Sequence, residues 1–225
     1  AGDDWAYEHL GVFGWTTEFW DIIFHATGKH SPTDVWYVGP TPEQELAVCK
    51  WTDTHAPGSY SPWKKFNHPQ LGEIEIGGCD PIKTWSNAPA SKLRDEVAPH
   101  VHFAIYQALA SPRLEIKRAN AEALGNGVYK VEIGIANTGW LGTEISEWAH
   151  KNKIVLPLTA EISGATLVEG APRVKLGQLD GRVKFRVSGD AKSDGTPDRV
   201  LQSWLIRGEK GQRVTLTATH QRAGV

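Results

Sequence analysis

From Arg113 onward the hydrophobic residues recur at every second position, and that pattern restricts the second half of the chain to strands with one buried face. Tyr129, Val131, Ile133 and Ile135 alternate with Lys130, Glu132 and Gly134. The same alternation returns in Val183-Lys184-Phe185-Arg186-Val187 and in Val214-Thr215-Leu216-Thr217-Ala218. A period of two sends successive side chains to opposite faces, so one face can pack while the other stays wet. Gly125-Asn126-Gly127, Asn137-Thr138-Gly139 and Gly208-Glu209-Lys210-Gly211 supply turns between the runs. Residues 113–225 therefore predict about six or seven short strands with no helix between them, an all-β antiparallel sandwich of the Ig-like kind.

The first half has a different grammar. Residues 1–30 hold a near-continuous apolar run, Val12, Phe13, Trp15, Phe19, Trp20, Ile22, Ile23 and Phe24, which suits a strand covered on both faces in a mixed or parallel sheet. Residues 31–90 carry eight prolines with Trp36, Trp51, Trp63 and Trp85 among them. Proline on that scale breaks helices and interior strands, so this stretch predicts a loop-rich insertion with one short helix over 42–50, held down by its tryptophans. Trp51, Trp63 and Trp85 could instead serve as exposed stacking platforms, with anchoring the favoured role. Leu93, Val97, Val101, Ile105 and Leu109 recur at every fourth position, which predicts a helix over 91–110 with Ser91 as N-cap. Pro99 kinks that helix or moves its start towards residue 97, and Ser111-Pro112 ends it. The fold class is an α/β portion, residues 1–112, followed by the sandwich, residues 113–225.

Composition narrows the function classes. Of 225 residues, 24 are Lys or Arg and 26 Asp or Glu, for a net charge of -2, and no basic run provides the electrostatic footprint of a nucleic-acid binder. No apolar stretch reaches the roughly 18 residues of a membrane span. The start is acidic and polar where a secretory signal would be basic and then apolar. Cys49 and Cys79 lack the C-x-x-C spacing of a structural zinc site; they form one bridge or remain two buried thiols. The absence of methionine leads to the expectation that the chain is processed or is a piece of something longer. There is no G-x-S-x-G, no phosphate loop and no H-E-x-x-H.

Glu18 has the strongest claim to chemistry. A carboxylate on a strand covered on both sides is costly unless it is paired or lines a cleft, and a carboxylate held in a cleft is what general-base catalysis uses. The plainer reading is a strand-end glutamate in a salt bridge. His100-Val101-His102 falls on the predicted helix, where residues i and i+2 point apart, and reads as helix surface or a domain contact.

The residues around Glu18 add a resemblance. Gly2-Asp3-Asp4-Trp5-Ala6-Tyr7, then Gly11-Val12 and Thr16-Thr17-Glu18-Phe19, resemble the last active-site block of zinc carboxypeptidases of the pancreatic carboxypeptidase A/B type, in which a D-W-x-Y segment precedes a strand ending in T-x-E. Trp5 and Glu18 stand thirteen residues apart, as in that block. The segment 68–78, the 91–110 helix and the tail Thr219-His220-Gln221-Arg222-Ala223-Gly224 look like bacterial members with an insertion, a closing helix and a C-terminal sandwich. Nearly the whole chain is covered, but only residues 2–21 are diagnostic.

The resemblance implies the C-terminal portion of a peptidase that hydrolyses the last peptide bond of a peptide or protein. Glu18 would take a proton from zinc-bound water and pass it to the leaving amine. Asp3, with Asp4 and Trp5 beside it, would bind substrate. An aspartate at the position of Asp3 marks a pocket for a C-terminal Lys or Arg, although a solvated loop-end residue is the equal alternative. Zinc belongs to the parent protein: the ligands lie upstream in the family, and none of the nine histidines here has a glutamate three residues on. The family's arginine two residues after the glutamate is replaced by Trp20. Alone, the chain is expected to be inactive and to self-associate through its incomplete sheet, with residues 1–30 irregularly packed. Family resemblance suggests a secreted or periplasmic location. From a different class, the alternative is a non-catalytic sandwich that binds sugar or peptide through a tryptophan-rich extension, or that acts as a scaffold.

Overall fold

The structure, a computed structural model, describes residues 2–31, 35–184 and 197–225. In chain order the helices and strands are α1 (Gly2–Trp5), a π-helical turn (Ala6–Leu10), α2 (Ile22–Thr27), α3 (Val35–Val38), α4 (Pro42–His55), β1 (Tyr60–His68), β2 (Gly72–Cys79), α5 (Pro81–Thr84) and α6 (Ala90–Ala110). Then follow β3 (Leu114–Gly125), β4 (Val128–Asn137), α7 (Glu147–Asn152), β5 (Leu158–Ser163), β6 (Thr166–Leu167), β7 (Arg173–Gly177), a 3-10 turn (Arg182–Lys184), β8 (Arg199–Arg207) and β9 (Thr215–Thr219). Two units are formed: Ala1–Thr16 with Ala104–Val225, and Thr17–Phe103. The division falls within α6.

In the first unit, β3-β4-β8-β6 make one antiparallel sheet and β7-β5-β9 another. Val131, Ile133 and Ile135 of β4 meet Leu158, Ala160 and Ile162 of β5, with Trp204, Ile206 and Ala218, in one apolar cluster. Each large side chain withdrawn from water there contributes about 1.5–3 kcal/mol, so this cluster dominates the unit's stability. The expected alternation of β4 holds on its inner face, but the outer face is not simply wet. Glu132 is buried, and its carboxylate is held by Lys130 at 2.6 Å and Arg118 at 2.9 Å. The hydrogen bond from Lys130, outweighing burial and helped by both cations, keeps its carboxyl below the ordinary range.

The turn at 137–139 is built on one side chain. Asn137 is fully buried; its Nδ2 donates to the carbonyls of Leu141 at 2.8 Å and Asp180 at 3.1 Å. Its Oδ1 accepts from the backbone N–H groups of Arg113 and Gly139, both at 3.0 Å. A Cβ on Gly139 would lie 2.2 Å from the Ser111 carbonyl oxygen, so only glycine fits. Two expectations for this half need correction. A helix, α7, does stand between the strands, N-capped by Ser146. The strand expected over 183–187 is not formed at its start, because residues 182–184 make a 3-10 turn; Phe185, Arg186 and Val187 lie outside the described residues.

In the second unit Ile22, Ile23 and Val48 form a small core closed by Trp20, Ala26, Trp51 and Trp85. The strand expected through 12–24 is absent. Residues 12–21 carry no helix or strand, and α2 begins at Ile22 because the Asp21 carboxylate accepts the Phe24 N–H at 3.0 Å, while Gly28 ends it with φ +74°. No parallel pairing occurs among the described residues, so the α/β portion contains helices and an antiparallel hairpin and no remnant of a parallel sheet. Without a neighbouring strand an extended apolar run has no ladder to join, and capped helix is the alternative that satisfies its backbone. The sheet edge through which self-association was expected is therefore not formed.

The insertion is more regular than its prolines suggest. Helix α4 runs to His55, opened by Pro42 at its first turn and a capping box between Thr41 and Gln44. The hairpin β1–β2 occupies what reads as loop, with Pro62 placed at a break in register between Ser61 and Lys64, where a missing N–H costs no ladder bond. Helix α6 starts at Ala90, not at residue 97, and carries Pro99 inside it, with Ser91 in the first turn. Leu93, Val97, Val101, Ile105 and Leu109 are all exposed.

Candidate functional site

The N-terminal block folds back on itself. Asp3 is half-buried in α1, and Thr16 Oγ1 donates to its Oδ2 at 3.3 Å. A Cβ on Gly14 would come within 2.4 Å of the Asp3 Cα, so residues 14–16 lie directly against α1. Asp4 and Trp5 are exposed, the Trp5 ring 5.5 Å from that of His9. Asp3, Asp4 and Trp5 are thus brought together at one end of the block.

This block is fastened to the sheet unit from three directions. Gly11, at φ +62°, sits so close to α7 that a Cβ would be 2.5 Å from the Ala149 Cβ. Ser146 Oγ donates to the Gly11 carbonyl at 2.6 Å, and Trp148 Nε1 to that of Glu8 at 3.0 Å. Arg222 reaches in from the C-terminal tail: Nη1 donates to the carbonyls of Glu144 at 2.9 Å and Gly11 at 3.4 Å, and Nη2 to that of Leu10. The carbonyls at the end of the π-helical turn, which lack helical partners, are satisfied by this guanidinium. Burial lowers the Arg222 pKa, partly offset by Glu144.

His220 orders the same tail. Its Nδ1 accepts the Arg222 N–H at 3.1 Å, so Nε2 carries the proton and donates to Gln178 Oε1 at 3.0 Å. Burial first, then the Arg222 charge, lowers its pKa, so the ring is held neutral.

Glu18 belongs to the other unit. It is exposed on backbone without regular structure, and among the described residues its carboxylate takes part in no hydrogen bond or ion pair. Both sequence readings are corrected here: the side chain is neither enclosed on a covered strand nor tied in a salt bridge. Its neighbours are fixed. Phe19 lies 5.9 Å from the His100 ring of α6, and Trp20 adopts φ 82° while its indole donates to the Thr84 carbonyl at 2.6 Å and stacks on His25 at 4.6 Å. A bulky residue in the left-handed region is strained, and here the hydrogen bond and the stacking hold it. Trp20 thus acts as an anchor. Asp21 follows, its carboxyl held below the ordinary range because hydrogen bonds from Ser31 and Phe24 outweigh burial.

Among the described residues no group of three or more His, Cys, Asp or Glu side chains could hold a metal ion. His100 and His102 lie on α6. Of the tryptophans in the insertion, Trp51 and Trp85 pack on the small core while Trp63 is exposed. Trp63, Tyr60 and Trp85 line an open cavity of about 640 Å³ together with Cys49 and Cys79. Trp140 is exposed. No helix among the described residues is long and apolar enough to cross a membrane.

Arg222, Ser146 and Trp148 were not singled out for a role by sequence reasoning. Their partners are 211, 135 and 140 residues away, so no local spacing signals them. A family model described as a domain of unknown function (DUF8731) matches residues 113–225. No curated protein and no solved structure matches the chain.

Proposed function

The chain belongs to the DUF8731 family, a domain of unknown function; from the resemblance carried by residues 2–21 we propose that it is the C-terminal portion of a zinc metallocarboxypeptidase whose Ig-like sandwich props the end of the catalytic domain. The observation that carries the reading is the block 2–21, in which the D-W-x-Y segment, Gly11-Val12 and T-x-E occur together with Trp5 and Glu18 thirteen residues apart. Glu18 is the general acid and base: it takes a proton from the attacking water and delivers it to the leaving amine nitrogen. Among the described residues no ion pair engages its carboxylate, and the cleft that such a base needs is assigned to the rest of the parent's catalytic domain. The half-buried Asp3, steadied by Thr16, favours a C-terminal Lys or Arg through a charge-assisted hydrogen bond. In this reading zinc is held by other residues of the parent protein; the described residues contain no group of three or more His, Cys, Asp or Glu that could hold it.

The propping role rests on the fastening of Glu8, Leu10 and Gly11 by Trp148, Ser146 and Arg222. It fixes the backbone that carries Asp3. The exposed apolar stripe of α6 is the kind of face that the rest of a catalytic domain would cover. By this reading the chain alone is inactive, and the parent is exported.

The test is release of the last residue from matched peptides ending in Lys, Leu and Glu by the gene product that carries these residues. Release with a preference for Lys is expected. A preference for Leu removes the role of Asp3, and no release from any peptide removes the peptidase reading.

A further inference from the structure

A second feature stands apart from the peptidase reading and does not depend on it. Cys49 of α4 and Cys79 at the end of β2 bring their sulfur atoms to 3.2 Å, and both side chains are half-buried. A disulfide needs about 2.04 Å between sulfurs, so roughly 1 Å of side-chain movement separates contact from a bond. Both residues line the 640 Å³ cavity, which opens to solvent and admits a small oxidant.

We propose that Cys49 and Cys79 are a disulfide-forming pair, closed by exchange with a low-molecular-weight disulfide, which clasps the foot of the β1–β2 hairpin to α4. In the exchange, the Cys49 thiolate attacks one sulfur of the small disulfide, forming a mixed disulfide and expelling one small thiolate. The Cys79 thiolate then attacks Cys49 Sγ, forming the internal bond and expelling the second small thiolate. The two cysteines lose two electrons, the small disulfide gains them, and the two cysteine protons end on the two released thiols. Cys79 acts second because burial first, then the hydrogen bond with Cys49 and the carboxylates of Asp53 and Glu45, push its thiol up to about 11. Held protonated, Cys79 is a poor first attacker but acts at contact distance in the second step.

The clasp has a place to act. The foot of the hairpin is already tied by the Asp80 N–H to the Ser59 carbonyl at 2.7 Å, and Val48 beside Cys49 is part of the small core. A covalent bond there joins the hairpin, whose strands are mostly exposed, to the small apolar cluster of Ile22, Ile23 and Val48.

The experiment uses the full chain, reduced and then equilibrated with mixtures of oxidised and reduced glutathione, followed by alkylation of remaining thiols and peptide mapping. The expected result is loss of both alkylatable thiols together, one peptide pair joined through Cys49 and Cys79, and a monomeric chain. Both thiols persisting at the most oxidising ratio overturns the proposal, as does accumulation of glutathione adducts alone or of dimers linked between chains. As a second reading, Cys49→Ser should retain one thiol that can form only a mixed disulfide. Loss of that lone Cys79 thiol at the same glutathione ratio that removes both thiols of the wild type also overturns the proposal.

Discussion

Replacing Arg222 by Met keeps the length of the side chain and removes every donor. In the wild type the guanidinium serves carbonyls of Leu10, Gly11 and Glu144, the last at 2.9 Å and that of Gly11 at a long 3.4 Å. Bonds from a charged donor contribute about 1.5–3 kcal/mol each, and the long contact with Gly11 little. Against them stands the desolvation that lowers the Arg222 pKa. Only the bonds to Leu10 and Gly11 hold the N-terminal block, so its docking should weaken by about 1.5–3 kcal/mol. At 1.36 kcal/mol per decade, local opening then becomes roughly 10- to 100-fold more frequent. The amides to follow are Gly11 and Val12, bonded to the carbonyls of Tyr7 at 3.0 Å and Ala6 at 3.4 Å. Hydrogen exchange resolved by residue should show these two amides losing protection while those of β4 keep theirs. Exchange at Gly11 and Val12 within about twofold of wild type would refute the clamp, since Ser146 and Trp148 would then hold the block unaided.

Three further outcomes follow from the same geometry. Asn137→Ala strips acceptors from the buried Gly139 N–H and the part-buried Arg113 N–H and donors from two carbonyls, and should cost about 3–5 kcal/mol in denaturant unfolding; a loss below about 1 kcal/mol contradicts the turn's construction. His220, with its pKa lowered by burial, binds protons more weakly folded than unfolded. Its contribution is present above about pH 6.5 and is lost as pH falls from there through the folded value, so His220→Gln should flatten the pH dependence of stability in that window, and an unaltered slope counts against it. Ring closure between Cys49 and Cys79 should quicken roughly tenfold per pH unit while the Cys79 thiol, which burial pushes up, stays mostly protonated; stopped-exchange rates that ignore pH would show that Cys79 does not make the closing attack.

What was legible in the sequence follows from range. The Gly125-Asn126-Gly127 turn and the inner face of β4 needed only neighbours in sequence, and both are found, the turn with left-handed backbone at all three residues. The missed helix α2 had a local signal as well, an aspartate at its N-cap and a glycine after its last residue, obscured by the apolar run around it. The β1–β2 hairpin was hidden by Pro62, although Ile74 and Ile76 alternate with Glu73, Glu75 and Gly77. Glu132 could not be read as buried, because its partner Arg118 sits on a neighbouring strand. The fastening of the candidate block by Arg222 was illegible for the same reason, with the whole sheet unit lying between the two in sequence. Glu18 stood out as a lone carboxylate in an apolar run and then by its motif, but the covered strand that the first reading assumed is not formed, and its exposure, with no hydrogen bond or ion pair among the described residues, is a fact of the structure alone.

The proposed peptidase activity needs Glu18 as its proton-transfer group. In the gene product that carries these residues, Glu18→Gln preserves shape and removes the base. The turnover of a peptide ending in Lys should fall by about 10²- to 10⁴-fold with zinc content unchanged. Turnover equal to that of the wild type would contradict the assignment.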